Sequence, residues 1–348
     1  MNVLSLFDGI SCCHLALSKA GVEVNKYYAS EIDKYATKIS ETNYPDAVRL
    51  GDVNNWLDWD IDWSSIDIVT GGFPCQAWSM AGKQLGDRDE RGKLFWVMLD
   101  IIKMVLLHNP KAHFLIENVK MKKEFEEYIT LHTTEALGVV YKILINSALV
   151  SAQNRNRYYW TSFPTTQPDD KNQFLWDIIE HGFVDRDKAH CIDANYFKGG
   201  NLKSYFEKHR RQLVFAGAMR GRYVVSGVRQ DSKMLTKGLT KQRLEIRYDG
   251  KTNALTTVTK DNQVVDRPDG RPYYDLSEIT YRKLTPLECE RLQCVPEGYT
   301  SSVSNTQRYR ALGNGWTVDV IAHLFKDMKN EITHLSNIVL EESSGGVC

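Results

Sequence analysis

No stretch of the 348 residues comes near the roughly 20 consecutive apolar side chains that a bilayer crossing requires. The opening Met1-Asn2-Val3-Leu4-Ser5-Leu6-Phe7 has no basic leader and reads as a strand rather than a signal peptide, so a cytoplasmic protein without membrane contact is expected. Paired cysteines are missing as well. The seven thiols (Cys12, Cys13, Cys75, Cys191, Cys289, Cys294, Cys348) are odd in number, with no CxxC and no clustered Cys/His spacing. A disulfide framework and a structural zinc are therefore not expected. Six of the seven are expected to be small buried hydrophobes or incidental surface thiols. Net charge is also absent, with 44 basic against 44 acidic residues, but its distribution is uneven. Lys198–Arg247 carries 13 Lys and Arg against 3 Asp and Glu, a segment that is either a solvated face or a phosphate-tracking surface.

What is present starts with order. Residues 1–165 alternate strand-like runs (3–7, 27–30, 67–70, 113–116) with helical spacing (12–20, 35–40, 94–107), the pattern of a mostly parallel sheet covered by helices. From Pro164 to about Tyr281 the helical period fades. Short β-type runs appear at 223–225, 244–247 and 263–265, which points to a smaller, irregular second domain. Thr285-Pro286 opens a further helix, 311–315 reads as a tight turn before a last helix at 318–328, and 341–348 reads as a disordered tail.

Four segments at predicted strand ends carry chemistry. Phe7-Asp8-Gly9-Ile10-Ser11 is a strand–glycine–helix turn of the kind that holds a ligand at the carboxyl edge of a sheet. Glu31 stands at the next strand end, where an acid accepts from ribose hydroxyls. The full GxGxxG is lacking, so an unphosphorylated nucleoside fits better than a dinucleotide; an ordinary turn with a helix-capping acid is the competing account. Asp52, in Gly51-Asp52-Val53, is either a turn aspartate or a partner for an adenine amino group. Gly71-Gly72-Phe73-Pro74-Cys75-Gln76 delivers a cysteine to the same edge. It is followed by a Gly-rich stretch, 76–93, that reads as a lid. Glu117-Asn118 aims a carboxylate there too, and Arg155 and Arg157 alternate on an extended segment.

In this order the blocks FDGIS, SEID, GDV, GGFPCQAWS, RGKLFW, ENV, QNRNRYYW, RKLTPLECERLQCVPEGYT and RYRALGNGW resemble the cytosine-5 DNA methyltransferase family of bacteria and phages, from residue 3 to about 325. Ser11 replaces the second glycine of most bacterial members, and Gly315-Trp316 replaces a serine-containing turn; both resemble the animal de novo enzymes. The resemblance implies an α/β, Rossmann-like S-adenosylmethionine-dependent core (1–170 with 306–335), a target-recognition domain and hinge (171–305) and a tail (336–348). It implies methyl transfer from S-adenosyl-L-methionine to C5 of a flipped cytosine in a specific double-stranded sequence. No metal is needed, and a monomer without an obligate protein partner is expected.

Carried onto this chain, Cys75 attacks C6, Glu117 contacts N3 and the amino group, and Arg157 positions base and carboxylate with Arg155 and Asn118 in support. The donor pocket takes in Phe7, Asp8, Gly9, Ile10, Glu31, Ile32, Asp52, Val53, Pro74, Leu94, Asn314 and Gly315. Gln76 and Ser79 belong to the lid over DNA. The middle corresponds to the family's variable recognition region, with Arg220, Arg222, Arg229, Lys241, Arg243 and Arg247 meeting phosphates or bases; Ala254 departs from the family's Thr-Leu element there. An RNA methyltransferase of related fold and a catalytically silent DNA-binding module are the alternatives. The long basic middle argues against the first, and the intact cysteine, glutamate and arginines against the second.

Overall fold

The computed structural model describes residues 1–74, 90–182, 184–216, 218–225, 228–230, 240–245 and 280–344. The first half runs β1 (Asn2–Leu6), α1 (Cys12–Lys19), β2 (Lys26–Ser30), α2 (Lys34–Asn43), β3 (Val48–Arg49), β4 (Ile68–Gly71), α3 (Glu90–His108), β5 (His113–Val119), α4 (Lys123–Leu137) and β6 (Tyr141–Asn146). It continues with β7 (Gln153–Asn154), β8 (Asn156–Thr161), α5 (Leu175–Ile178), β9 (Ala189–His190), α6 (Leu202–Lys208), β10 (Leu213–Ala216), β11 (Ala218–Val225), β12 (Val228–Gln230) and β13 (Thr240–Glu245). It closes with β14 (Thr280–Lys283), α7 (Pro286–Leu292), α8 (Asn305–Asn314) and α9 (Val318–Ser344).

The main sheet has the order β3-β2-β1-β4-β5-β8-β6. Its strands β1 to β5 pair in parallel, and β8 runs antiparallel between β5 and β6. Chain order reverses at the β1/β4 boundary, so a crevice opens beyond the carboxyl ends of those two strands. Consecutive strand residues feed opposite faces, as the two-residue strand period requires. Val3, Ile68, Leu115 and Tyr159 pack with α1, α2 and α9 on one side. Leu4, Val69, Phe114, Ile116 and Trp160 pack with α3 and α4 on the other. Among the described residues no helix is long and apolar enough to cross a membrane.

The structure departs from the sequence expectations in four places. Strand β5 does not stop before Glu117 but runs through Val119, because β8 supplies antiparallel partners: Glu117 faces Tyr159 and Asn118 faces Tyr158. Residues 311–314 are the end of helix α8 rather than a turn. Gly313 is tolerated there because a Cβ would lie 2.2 Å from the Asp193 backbone, so the helix and that loop touch main chain to main chain. The expected tail is helical through Ser344. Finally, the hydrophobic core does not divide at residue 171: Leu175, Ile178, Ala189, Ile192, Tyr196, Val214, Leu284 and Leu292 share one cluster with Ile10, Cys12 and Leu17. The run at 263–265 lies outside the described residues.

Candidate active site

Two carboxylates line the crevice, and different forces hold them. At the end of β2, Glu31 accepts backbone N–H groups from Gly9 (2.8 Å), Ile32 (2.9 Å) and Asp33 (2.7 Å). Burial pushes its carboxyl up, against the lowering effect of those three N–H groups. Its bond to Gly9 ties the β1–α1 turn to β2. That turn is tightly coiled, with Phe7, Gly9 and Ser11 all at positive φ (55°, 61° and 59°). Ile32, next in sequence, leaves its side chain 74% exposed at this edge, an apolar surface with nothing yet against it.

Glu117, 8% exposed, is instead gripped by distant side chains. Arg157 Nε donates to Oε1 at 2.9 Å. Trp316 Nε1 donates to Oε2 at 3.1 Å. Arg157 comes from β8, directly beside β5, and the Val119–Arg157 pairing sets its reach. Trp316 comes from the α8–α9 turn. Gly72, just past β4, passes so close that a Cβ there would lie 2.8 Å from Glu117 Oε2 and 3.0 Å from Trp316 Nε1. Asn118 Nδ2 donates to the Phe73 carbonyl at 3.1 Å, pinning the segment that leads through Pro74 to Cys75. Cys75, Gln76 and Ser79 lie outside the described residues, as does most of the expected lid.

Arg155 does not reach Glu117. It is 3% exposed and donates to the carbonyls of Ile192 (3.1 Å), Gly313 (3.2 Å) and Gly315 (2.8 Å). Gln293 joins it: Nε2 donates to the Leu312 and Gly315 carbonyls, and Oε1 accepts from Gln153 and Thr317. This buried lattice fixes the turn that carries Trp316. The expected catalytic group at 155 is thus a framework residue in this geometry.

The donor-pocket expectations divide in the same way. Asp8 turns inward, its carboxylate accepting from Tyr27 Oη and Ser11 Oγ, both at 2.6 Å. Ile10 and Val53 are buried in the core at 1% and 4% exposure. Asp52 caps the short helical turn after it, accepting from Asn54 N and Nδ2. Leu94 and Gly315 are half-buried, and Asn314 is exposed at the end of α8.

Four other thiols are out of play. Burial pushes Cys12, Cys13 and Cys294 up to about 12 and raises Cys289 well above the ordinary thiol range, so all four stay protonated near neutral pH.

Residues 1–330 match the family model of the C-5 cytosine-specific DNA methylase. The chain belongs to that family. It is a DNA cytosine-5 methyltransferase. The methyltransferase is 32% identical over 344 residues to the type II methyltransferase M1.ScrFI of Lactococcus lactis subsp. cremoris, covering 94% of this chain and 77% of that protein. It is 30% identical to the type II methyltransferase M.NlaX of Neisseria lactamica, over 97% of this chain and 98% of that protein. The solved structure of the Entamoeba histolytica methyltransferase EhMeth shares the fold, with a TM-score of 0.61 at 15% identity over 95% of this chain and 98% of that one.

In the middle of the methyltransferase, β11 pairs with β12 and β13. Arg220 stands opposite Arg243, Arg222 opposite Lys241, and Val224 opposite Arg229. Residues two apart on a strand share a face, so these five basic positions lie on one face of the small sheet. Arg247 lies outside the described residues. No role for Trp316, Gly72, Gln153 or Gln293 follows from the sequence. Each stands inside or beside a family-like block, but nothing local says which way it points.

Proposed function

We propose that this methyltransferase uses Cys75 as nucleophile and Glu117 as the group that meets the cytosine N3 edge, with S-adenosylmethionine as donor. The observation that carries the reading is the convergence of the Gly72–Pro74 segment with a buried, two-sidedly held carboxylate at the β4/β5 ends. C5 of cytosine is too weak a nucleophile to accept a methyl group unaided. A thiolate adding at C6 makes C5 enamine-like, and the thiolate leaves after the C5 proton is lost. A carboxyl at N3 supports that addition by sharing a proton with the ring as electrons move onto it. Arg157 keeps the carboxyl oriented, Asn118 keeps the strand exit in register, and Arg155 holds the opposing turn.

The donor fits the β1–β2 edge. Glu31 is positioned to accept from ribose hydroxyls, the exposed Ile32 side chain suits an adenine face, and the turn lacks the glycine pattern of a pyrophosphate cradle. When bound, S-adenosylmethionine supplies the electrophilic methyl group. Phe7, Gly9, Asp52, Pro74, Leu94, Asn314 and Gly315 remain assigned to this pocket; Asp8, Ile10 and Val53 support it from beneath.

Double-stranded DNA is the proposed substrate form, with the cytosine flipped from the stack. The placement of Arg220, Arg222, Arg229, Lys241 and Arg243 on one face of the small sheet supports phosphate contact, because it gathers five basic positions on one side. Given the core that runs through 175–214 and 284–292, the recognition part is narrower than 171–305 and centres on 217–280. Relatives named as type II methyltransferases support methyl transfer to DNA as the reaction.

Cys75→Ser tests the reading. The variant should lose methyl transfer by on the order of 10³-fold or more while still binding DNA. Wild-type protein should form a covalent adduct with DNA containing 5-fluorocytosine, where no C5 proton can leave. Full turnover by the serine variant would sink it.

A further inference from the structure

We propose that Trp316 is a positioning residue for the Glu117 carboxylate, its indole N–H fixing the orientation in which that group meets the cytosine. This rests on the reading of Glu117 above. Each carboxyl oxygen has its own donor, Arg157 Nε on Oε1 and Trp316 Nε1 on Oε2. With one donor per oxygen, the carboxylate cannot rotate about its terminal bond without breaking both contacts. Arg157 alone leaves that rotation open.

Three features of the chain are built around the Trp316 contact. Gly72 has no side chain where one would strike both partners of the bond. The carbonyl of Gly315, just before the tryptophan, is held by Arg155 and Gln293. The hydroxyl of Thr317, just after it, donates to Gln293 and accepts from Ser147. The indole is thus anchored from both sides of its own backbone, and it reaches Glu117 across 199 positions of sequence.

The test is a double-mutant cycle read by single-turnover methylation of duplex DNA with labelled donor. Trp316→Phe keeps a ring and removes the N–H. It should slow transfer at least roughly tenfold in the wild-type background, the lower end for one hydrogen bond to a charged group. In a Glu117→Ala background it should slow transfer less than about twofold, because the group it acts through is gone. The loss in Trp316→Phe should fall on the single-turnover rate at saturating DNA and donor, with the affinity for DNA unchanged.

Equal losses in both backgrounds, or no loss in the first, would overturn the proposal. Glu117→Ala transferring at the wild-type rate would sink the reading of Glu117 itself, before Trp316 is changed. If Trp316→Phe does not fold, Gly72→Ala replaces it: its methyl wedges the same pair apart, and its effect must likewise vanish when Glu117 is alanine.

Discussion

The two halves of the crevice hold a carboxylate at the same edge of one sheet by opposite means. On the donor side, Glu31 is fixed by backbone N–H groups, two of them from the next two residues and one from the adjoining strand's turn. On the acceptor side, Glu117 is fixed by side chains from β8 and from the α8–α9 turn. Backbone donors survive almost any substitution nearby. Side-chain donors can be removed one at a time, so the acceptor side is sensitive to changes far from it in sequence and the donor side is not.

The sharpest way to break this contrast is to remove each carboxylate. Glu117→Ala should slow transfer by about 10²–10⁴-fold, the usual contribution of a positioned acid or base, with donor affinity unchanged in calorimetry. A parallel fall in donor affinity would mean the two sides are not separate. Glu31→Ala should weaken donor binding roughly 10- to 150-fold, from about 1.5–3 kcal/mol for hydrogen bonds to a charged group, and leave the rate at saturating donor nearly intact. Because burial raises the Glu31 carboxyl, wild-type donor affinity should fall as pH drops towards that raised value, while the alanine variant's affinity should not.

Smaller effects should appear where the acceptor side is propped up. Asp319 opens α9 and pairs with Lys19 and Lys171 at 2.7 and 2.5 Å. Burial alone would raise its carboxyl, but the two lysines outweigh burial and hold it below the usual range. A depressed carboxyl stabilises the fold above its unfolded value and stops doing so as pH falls through its folded one. Asp319→Asn should therefore cost about 1–2 kcal/mol near pH 7, discounted because both lysines are partly exposed. The gap from wild type should close below about pH 4 in urea titrations. A gap that persists in acid would mean packing, not charge, is the cause. Smallest of all, Thr285→Ala removes the hydroxyl that caps α7, whose end delivers Gln293 to the Trp316 turn. It should cost about 1 kcal/mol of stability in thermal melts and little activity. A large drop in transfer rate would show that the turn depends on α7 more than its bonds suggest.

How much of this was readable beforehand follows the same divide. The β1–α1 turn, Glu31 at a strand end and the Thr285 cap are features of neighbouring residues, and they stand in the structure where spacing put them. The inward turn of Asp8, the carbonyl partners of Arg155 and the helical state of 311–314 do not follow from neighbouring residues. Tyr27, the Gly313 and Gly315 carbonyls and the Asp193 loop decide them, and all lie far away along the chain. Glu117 lies within β5 rather than beyond it for a like reason: whether a strand continues depends on its partner, and β8 begins 37 residues after β5 ends.

The sequence by itself determined the α/β order, the family and the residue types that meet at the sheet's carboxyl edge. Strand and helix periods and end caps act over a few residues, and the motif blocks are contiguous. Only the tertiary structure decided which donors hold Glu117. A hydrogen bond between residues 117 and 316 exists only once the register of β5 against β8, the missing side chain at Gly72 and the buried bonds to the Gly315 carbonyl have all set the two groups at bonding distance.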